Sequence, residues 1–366
     1  MTHDNRLDES ARAGFEDLVL AAEGDGPRLA ALALTASRIG LKPRVYPLAR
    51  AAQALAPDDA DVASMTGELI AGDVPSWHFY MVKDDARNRA FEAAIRRAVH
   101  PGCRVLDIGA GTGLLAMMAA RAGAGSVVSC EMNPAIADVA TEIVALNGYA
   151  DRVRIVSAKS SDLDADADLG GRADLIVSEI VSNNLLSEDV LPTMADAVSR
   201  LLAPGGRMIP EAGQIVVSLA DWDGYGHDGM TDVAGFDMRP FNRLEQRPVR
   251  LKVGDPGIEL RGQPADLFDF DFTSGGPWPD QQRSVELIAD GNYINGVIQW
   301  IRLRLDAEGG YENRPRPRTM SNWAALFVPF DREIAPPPGT RIRVQGAHDG
   351  NTVRIWVDES MIAGGL

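Results

Sequence analysis

Two acids nine residues apart carry the first chemical signal in the sequence. Glu179 and Glu188 bracket the segment Ser178-Glu179-Ile180-Val181-Ser182-Asn183-Asn184-Leu185-Leu186-Ser187-Glu188. A pair of carboxylates on one loop suits a guanidinium, which is planar, charged at any biological pH, and offers five donors in a fixed fork. Each acid can take a bidentate or charge-assisted contact. Unequal contacts from the two would polarise the cation and leave more electron density on one terminal nitrogen. A carboxylate can also accept the proton that such a nitrogen sheds when it is alkylated. Glu179 directly follows an apolar strand at its ligand-facing end. Glu188 precedes Asp189 at a helix start, where an acid also favours the helix dipole; only the spacing joins it to Glu179.

The second signal is Val105-Leu106-Asp107-Ile108-Gly109-Ala110-Gly111-Thr112-Gly113, an apolar strand running into a glycine turn. Gly109, Gly111 and Gly113 let the backbone turn sharply and approach a ligand closely. Glu131 lies twenty residues beyond Gly111, at the end of the next strand, where a carboxylate can accept both hydroxyls of a ribose. Leu114 stands where a dinucleotide fingerprint has its third glycine. Asp107, just upstream of the glycines, suits an ammonium better than a pyrophosphate. S-adenosyl-L-methionine, with a ribose, an adenine, an amino-acid end and no phosphate, is the cofactor these features fit, and S-adenosyl-L-homocysteine is then the product.

These residues need elements to hold them. Residues 1–72 are rich in Ala and Leu at helical spacing (Phe15, Leu18, Ala22; Leu29, Leu32, Leu34; Leu48, Ala52, Leu55), punctuated by Pro43, Pro47 and Pro57-Asp58-Asp59. They read as a helical cap resembling one or two tetratricopeptide units, with Asp58 or Asp59 as an N-cap and no chemistry of its own. Residues 73–210 alternate short apolar strands with helices: strands at Arg104 to Ile108, Ser126 to Cys130, Val153 to Ser157, Leu175 to Ser178 and from Arg207, helices at Leu114 to Ala122, Pro134 to Asn147 and Leu191 to Leu202. Such alternation implies an α/β domain, a parallel sheet with helices on both faces and a ligand site beyond the carboxyl ends of its strands. Residues 211–366 read as strands alone (Gln214 to Leu219, Ala265 to Thr273, Ser284 to Ile288, Gly296 to Leu305, Trp323 to Val328, Arg341 to Val344, Thr352 to Val357), a mainly antiparallel barrel or sandwich.

Composition bounds the partners. The 366 residues are 45% apolar and 24% charged, enough for a substantial core, and 36 Lys plus Arg against 52 Asp plus Glu give a net charge of −16. A nucleic acid is not expected as partner, because phosphate binding needs a basic face; a cationic substrate suits the balance. Cys103 and Cys130 alone make neither a disulfide framework nor a cysteine zinc site, and His3, His78, His100, His227 and His348 show no ligand spacing, so no metal is expected. Cys130 reads as a small buried hydrophobe. With no apolar leader and no membrane-length segment, a soluble, cytoplasmic protein is expected.

With these motifs in place, the chain resembles the class I methyltransferases and, among them, the protein arginine N-methyltransferases, from about Trp77 to Val357. Met81-Val82-Lys83-Asp84-Asp85-Ala86-Arg87-Asn88 is similar to the family helix that closes over the cofactor; the resemblance assigns Arg87 to the cofactor carboxylate and Met81 to packing beside the transferred methyl. Glu179 and Glu188 match the family's double-Glu loop. Val233-Ala234-Gly235-Phe236-Asp237-Met238 looks like the end of its dimerisation arm, near 221–245, which implies a homodimer. Ser321-Asn322-Trp323 sits where the family has Thr-His-Trp, with Asn322 in place of the His that pairs with Asp84's counterpart. An Asn cannot carry a proton at neutral pH, so a His–Asp relay is absent here; Trp323 is a candidate wall of the arginine channel. Ser160 and Ser161 occupy the place of an adenine-contacting Glu. Met81 to Asn88 and Ser160-Ser161-Asp162 lie closest to the monomethylating (type III) branch. The resemblance implies a Rossmann-like sheet followed by a mainly antiparallel β-barrel domain.

The expected activity is transfer of a methyl group to arginine in a protein or peptide, with Glu179, Glu188 and Asp84 catalytic and Asn322 and Trp323 beside the substrate. Free arginine or another small guanidine is the first alternative. A methyltransferase of bases or amides is disfavoured, because Ser178-Glu179-Ile180-Val181 replaces the Asn/Asp-Pro-Pro-aromatic run such enzymes commonly carry. A cofactor-binding scaffold without catalysis is the remaining one.

Overall fold

The structure, a computed structural model, describes residues 9–72, 74–225, 229–245, 247–317 and 321–357. The chain divides into two compact units, one of residues 1–79 with 133–139, the other of residues 80–132 with 140–366.

The smaller unit is built on α1 (Glu9–Ala21), α2 (Gly26–Arg38), α3 (Lys42–Leu55) and α4 (Ala60–Gly72). Their apolar stripes meet in a core of Phe15, Leu29, Ala30, Ala33, Ala36, Leu48, Ala49, Ala52 and Val62, where small Ala side chains let the helices approach closely. Asp25 caps α2 by accepting from the Arg28 amide, and Asp59, one of the two acids expected to do so, opens α4 by accepting from the amides of Asp61 and Val62.

Next in the chain come α5 (Trp77–Met81) and α6 (Asp85–Ala98), followed by β1 (Arg104–Ile108), α7 (Leu114–Arg121), β2 (Ser126–Cys130), α8 (Pro134–Leu146), β3 (Val153–Val156), α9 (Ala165–Leu169), β4 (Ala173–Ser178), α10 (Val190–Asp196) and β5 (Leu202–Ile209). The five strands pair in parallel in the order β3-β2-β1-β4-β5. The order reverses at β1 and β4, so the crevice beyond their carboxyl ends is the ligand position of such a sheet. Leu106, Ile176 and Val177 are fully buried, as strands covered on both faces require. The helix expected over Leu191 to Leu202 is shorter than that. It ends at Asp196, a single wide turn spans Ala197–Leu201, and Leu202 already opens β5, five residues before the expected strand start.

Beyond Pro210 lie β6 (Ala212–Trp222), β7 (Asp232–Val233), β8 (Phe236–Asp237), β9 (Val249–Leu251), β10 (Ile258–Leu260), β11 (Ala265–Asp271), β12 (Gln281–Ile288), β13 (Ile294–Arg304), β14 (Gly310–Glu312), β15 (Ala325–Ile334), β16 (Arg341–His348) and β17 (Val353–Val357). β6 and β13 pair antiparallel from Ala220↔Gly296 to Ala212↔Arg304. Alternation along them sends Ile215, Val217, Leu219, Val297, Ile301 and Leu303 into the core shared with the parallel sheet, and Val216, Ala220, Ile298 and Trp300 into a second cluster with Phe327. The expectation of a mainly antiparallel β domain holds, and that of a barrel in part. Among the described residues the strands form a curled half-barrel of seven strands, bounded by the three-residue β9 and β10, and a separate sheet of β12, β16 and β17.

Candidate active site

The glycine turn between β1 and α7 is fixed by backbone pairing. The amides of Gly109 and Ala110 both donate to the Cys130 carbonyl, at 3.0 and 2.9 Å. Gly109 and Gly113 have φ of +86° and +76°, which side-chain-bearing residues seldom adopt, and a Cβ on Gly109 would lie 2.5 Å from Ile180. Around Gly111 the space is open within 4 Å. The Gly111 amide donates to Glu131 Oε2 at 3.1 Å, so the acid chosen for its spacing does meet the turn.

Asp107, nearly fully buried on β1, accepts from Ser129 Oγ at 2.7 Å, while its other oxygen is buried without a hydrogen-bond partner. Burial pushes its carboxyl up to about 7; the Ser129 bond opposes that and the nearby Glu131 adds to it. A buried carboxylate oxygen lacking a donor is costly, and an ammonium group satisfies it. Together with the open space at Gly111 and the position of Glu131, the residues present fit an aminoacyl nucleoside.

Glu179 follows β4 and lies among the other candidates. Arg87 Nη1 donates to its Oε2 at 2.5 Å, with the two side chains 5% and 14% exposed. Burial pushes the Glu179 carboxyl up to about 7; Arg87 pulls it down, while Glu188, Asp107 and Asp84 push it up again. Glu188 is itself raised by burial and by Glu131. Glu179 thus lies within electrostatic reach of three other acids, Glu188, Asp107 and Asp84, with Arg87 its one basic partner, and such an excess of acid favours a cationic ligand. The rest of the Arg87 fork is held by Asn88 Oδ1, which accepts from Nε and Nη2.

The loop that carries Glu179 and Glu188 is strained. Leu185, Glu188 and Asp189 have φ of +73°, +75° and +57°, three of the four non-glycine residues in the left-handed region among the described residues. What holds this strain escapes the sequence. Asn184 Oδ1 accepts from the amides of Leu186 and Ser187 and from the hydroxyls of Ser182 and Ser187, while Leu185 and Leu186 are fully buried. Asn183 Oδ1 accepts from the Ala324 amide. The sequence cue for these two residues is an Asn-Asn pair in a turn, where Asn side chains commonly bond nearby amides.

Asp84, 4% exposed, caps α6 by accepting from the Arg87 amide at 3.0 Å. It also accepts from the Asn322 amide at 3.2 Å and from the Tyr311 phenol at 2.8 Å. Tyr311 is another residue that spacing alone misses. The Asn322 side chain turns instead to the Tyr80 carbonyl. Trp323 is buried against Tyr311, edge to face at 5.3 Å, and precedes the start of β15 at Ala325 by two residues. Met81 is buried at the end of α5. Ser160 and Ser161 form a turn after β3 whose carbonyls both accept from Arg200; Ser160 is buried and Ser161 exposed.

One histidine, His100, does meet other possible ligands in space. His100, Cys103 and Asp174 bring one possible ligand atom each within 4.8 Å of one another, at the amino ends of β1 and β4 and away from the acids above. There Asp174 accepts from the Arg104 amide.

Residues 91–214 match the family model of ribosomal protein L11 methyltransferase (PrmA). An arginine N(omega)-methyltransferase of Streptomyces achromogenes subsp. streptozoticus is 34% identical over 305 residues, 82% of this chain and 82% of that protein. Protein arginine N-methyltransferase 7 of Oryza sativa subsp. indica is 35% identical over 64% of this chain, which spans 36% of that relative's length. In fold, the chain is similar to the PRMT1 enzyme–prozyme heterotetrameric complex of Trypanosoma brucei with AdoHcy (TM-score 0.66, 23% identity, covering 76% of this chain and 91% of that one). The long match to the Streptomyces protein runs through both the glycine turn and the paired acids, and this chain belongs to the arginine N-methyltransferase family.

Proposed function

We propose that the protein transfers a methyl group from S-adenosyl-L-methionine to a guanidino nitrogen of arginine, in a protein or peptide. The observation that carries the reading is Glu179, half-buried at the carboxyl end of the parallel sheet, ion-paired with Arg87 and set among Glu188, Asp107 and Asp84. When bound, the cofactor supplies an electrophilic methyl on a sulfonium. Glu131 would take the ribose hydroxyls, Asp107 the ammonium, Arg87 the carboxylate, Gly109, Gly111 and Gly113 the close backbone approach, Ser160 and Ser161 the adenine edge, and Met81 the apolar side of the methyl.

Glu179 and Glu188 hold the arginine guanidinium and align one nitrogen, with acceleration coming from positioning and electrostatics. A carboxyl near 7 accepts the departing proton at Glu179 without needing a strong base. Asp84 fixes the turn that carries Arg87, and Asn322 and Trp323 flank the arginine. Asn322 carries no titrating proton, so the reaction runs without a His–Asp relay. The exposed Val233 and Phe236 of the β7–β8 hairpin support a homodimer. Cys103 and Cys130, free and buried, suit the reducing cytoplasm. Among the described residues no helix is long and apolar enough to cross a membrane.

Free arginine as acceptor is a second reading. It is favoured by the Streptomyces relative, named for arginine and matched over 82% of its length, against 36% for the rice protein named for protein arginine. Labelled-methyl transfer to free arginine, a Gly-Arg-rich peptide and a cell lysate, side by side with mass analysis, tests both readings. Monomethylarginine in the peptide supports the first, and product from free arginine alone supports the second. Cofactor binding with no product from any acceptor overturns both.

A further inference from the structure

Asp84 is buried at the entrance to α6 and holds that turn through its hydrogen bonds. Its Oδ1 accepts from the Arg87 amide within the helix. Its Oδ2 accepts from outside the helix, from the Asn322 amide and from Tyr311, whose side chain comes from β14. Tyr311 Oη also lies 2.7 Å from Ser321 Oγ. A phenol has one hydrogen and an ionised carboxylate only accepts, so the proton between Tyr311 and Asp84 belongs to Tyr311. The Ser321 hydroxyl then donates to the phenol oxygen, and Ser321 Oγ accepts from the Trp323 amide at 3.2 Å. The result is a directed chain, Trp323 to Ser321 to Tyr311 to Asp84, in which each bond polarises the next.

We propose that Tyr311 is a positioning residue: its phenol anchors Asp84 and thereby sets the first turn of α6, from which Arg87 reaches Glu179. This rests on the reading of Arg87 as a cofactor-binding residue. The buried Tyr311 ring is wedged against Trp323, so the hydroxyl has little freedom to leave. Burial pushes its ionisation upward, and the bond to Asp84 pushes it further. The anchor is therefore a fixed hydrogen bond throughout the neutral range. It supplies the side-chain contact to Asp84 that Asn322 does not, since Asn322 meets Asp84 through its backbone amide and turns its side chain to Tyr80.

Tyr311→Phe removes one oxygen and keeps the ring, and Ser321→Ala removes only the outer link. Both are made in the full chain, with cofactor KM, acceptor KM and kcat measured separately and amide exchange followed over residues 84–90. A hydrogen bond to a charged acceptor is worth roughly tenfold or more in an equilibrium. Tyr311→Phe is expected to raise cofactor KM by about that factor, leave acceptor KM within about twofold, and speed exchange at the turn. Ser321→Ala should move each quantity less. The proposal is overturned if Tyr311→Phe leaves cofactor KM and exchange at 84–90 unchanged. It is also overturned if kcat alone falls, as an ordinary loss of folded enzyme would produce. Should the wild-type protein transfer no methyl at all, the functional reading fails; S-adenosyl-L-homocysteine titration and exchange at the turn then decide the anchor by themselves.

Discussion

Arg87 and Glu179 form an ion pair across 92 residues of sequence, 2.5 Å apart, with both side chains largely out of water. Opposing charge at this distance is what keeps the Glu179 carboxyl from rising beyond about 7 among its acidic neighbours. Removing one partner of a buried pair leaves the other uncompensated, at a cost of about 3–5 kcal/mol.

Arg87→Met should therefore push the Glu179 carboxyl higher and carry the acid limb of the rate profile with it. For the intact enzyme, kcat/KM for the arginine acceptor is expected to rise with pH through an apparent value of about 7, as Glu179 loses its proton. In Arg87→Met, at saturating cofactor, the same limb moves upward by roughly one unit or more. An unmoved limb would show that Glu179 is not the titrating group.

The two acids of the strained loop should behave alike toward substrate and differently toward pH. Glu179→Gln and Glu188→Gln are each expected to lower kcat by roughly a hundredfold or more, as loss of a preorganised charge contact does. Binding of S-adenosyl-L-homocysteine, followed by calorimetry, should survive in both. The acid limb near 7 should vanish only in Glu179→Gln. Near-normal turnover in both variants would remove the guanidinium reading.

The parts of the site that sequence makes legible are local ones. The glycine turn and Glu131 follow from strand, turn and strand in succession, because a parallel sheet puts successive strand ends side by side. The paired acids are legible because one ten-residue stretch of loop contains them both. Arg87–Glu179, Tyr311–Asp84 and Asn183–Ala324 join segments 92, 227 and 141 residues apart, and no periodicity encodes such meetings. The half-barrel escapes for a similar reason. Its edges β9 and β10 are three residues long, too short for alternation to register, and pair only because β15 and β6 offer them a ladder.

On the proposed reading, in which Asp107 takes the cofactor ammonium, this residue would link cofactor binding to stability with opposite signs. Its carboxyl is raised in the folded protein from an ordinary value of 3.8 to about 7. The folded state then binds more protons than the unfolded one between these values, so stability falls as pH rises through the interval. The penalty is absent below about 3.8 and complete above about 7. Asp107→Asn removes the charge at nearly constant shape. The ligand-free variant should be more stable than wild type at pH 8, by on the order of a few kcal/mol, and no more stable near pH 4. Cofactor affinity should move the other way, falling roughly tenfold to a hundredfold with the lost ammonium contact. Thermal melts at the two pH values, with and without S-adenosyl-L-homocysteine, read both effects. A variant that gains stability equally at both pH values would show that the carboxyl is not raised.

The hairpin of β7 and β8 gives the last test. Val233, Phe236, Phe241 and Leu244 are 50%, 66%, 57% and 70% exposed within twelve residues of chain. Isolated exposed apolar side chains are ordinary, whereas four so close together make a patch of the kind that covers a partner. Ala234 and Gly235, both at positive φ, form the tight turn that sets Phe236 opposite Val233 in the ladder. Phe236→Asp together with Phe241→Asp should leave the melting of the isolated chain unchanged, since neither ring belongs to the core, and convert a dimer into a monomer. Sedimentation velocity at micromolar concentration measures this directly. A sedimentation coefficient identical in wild type and variant would mean that this hairpin holds no dimer together.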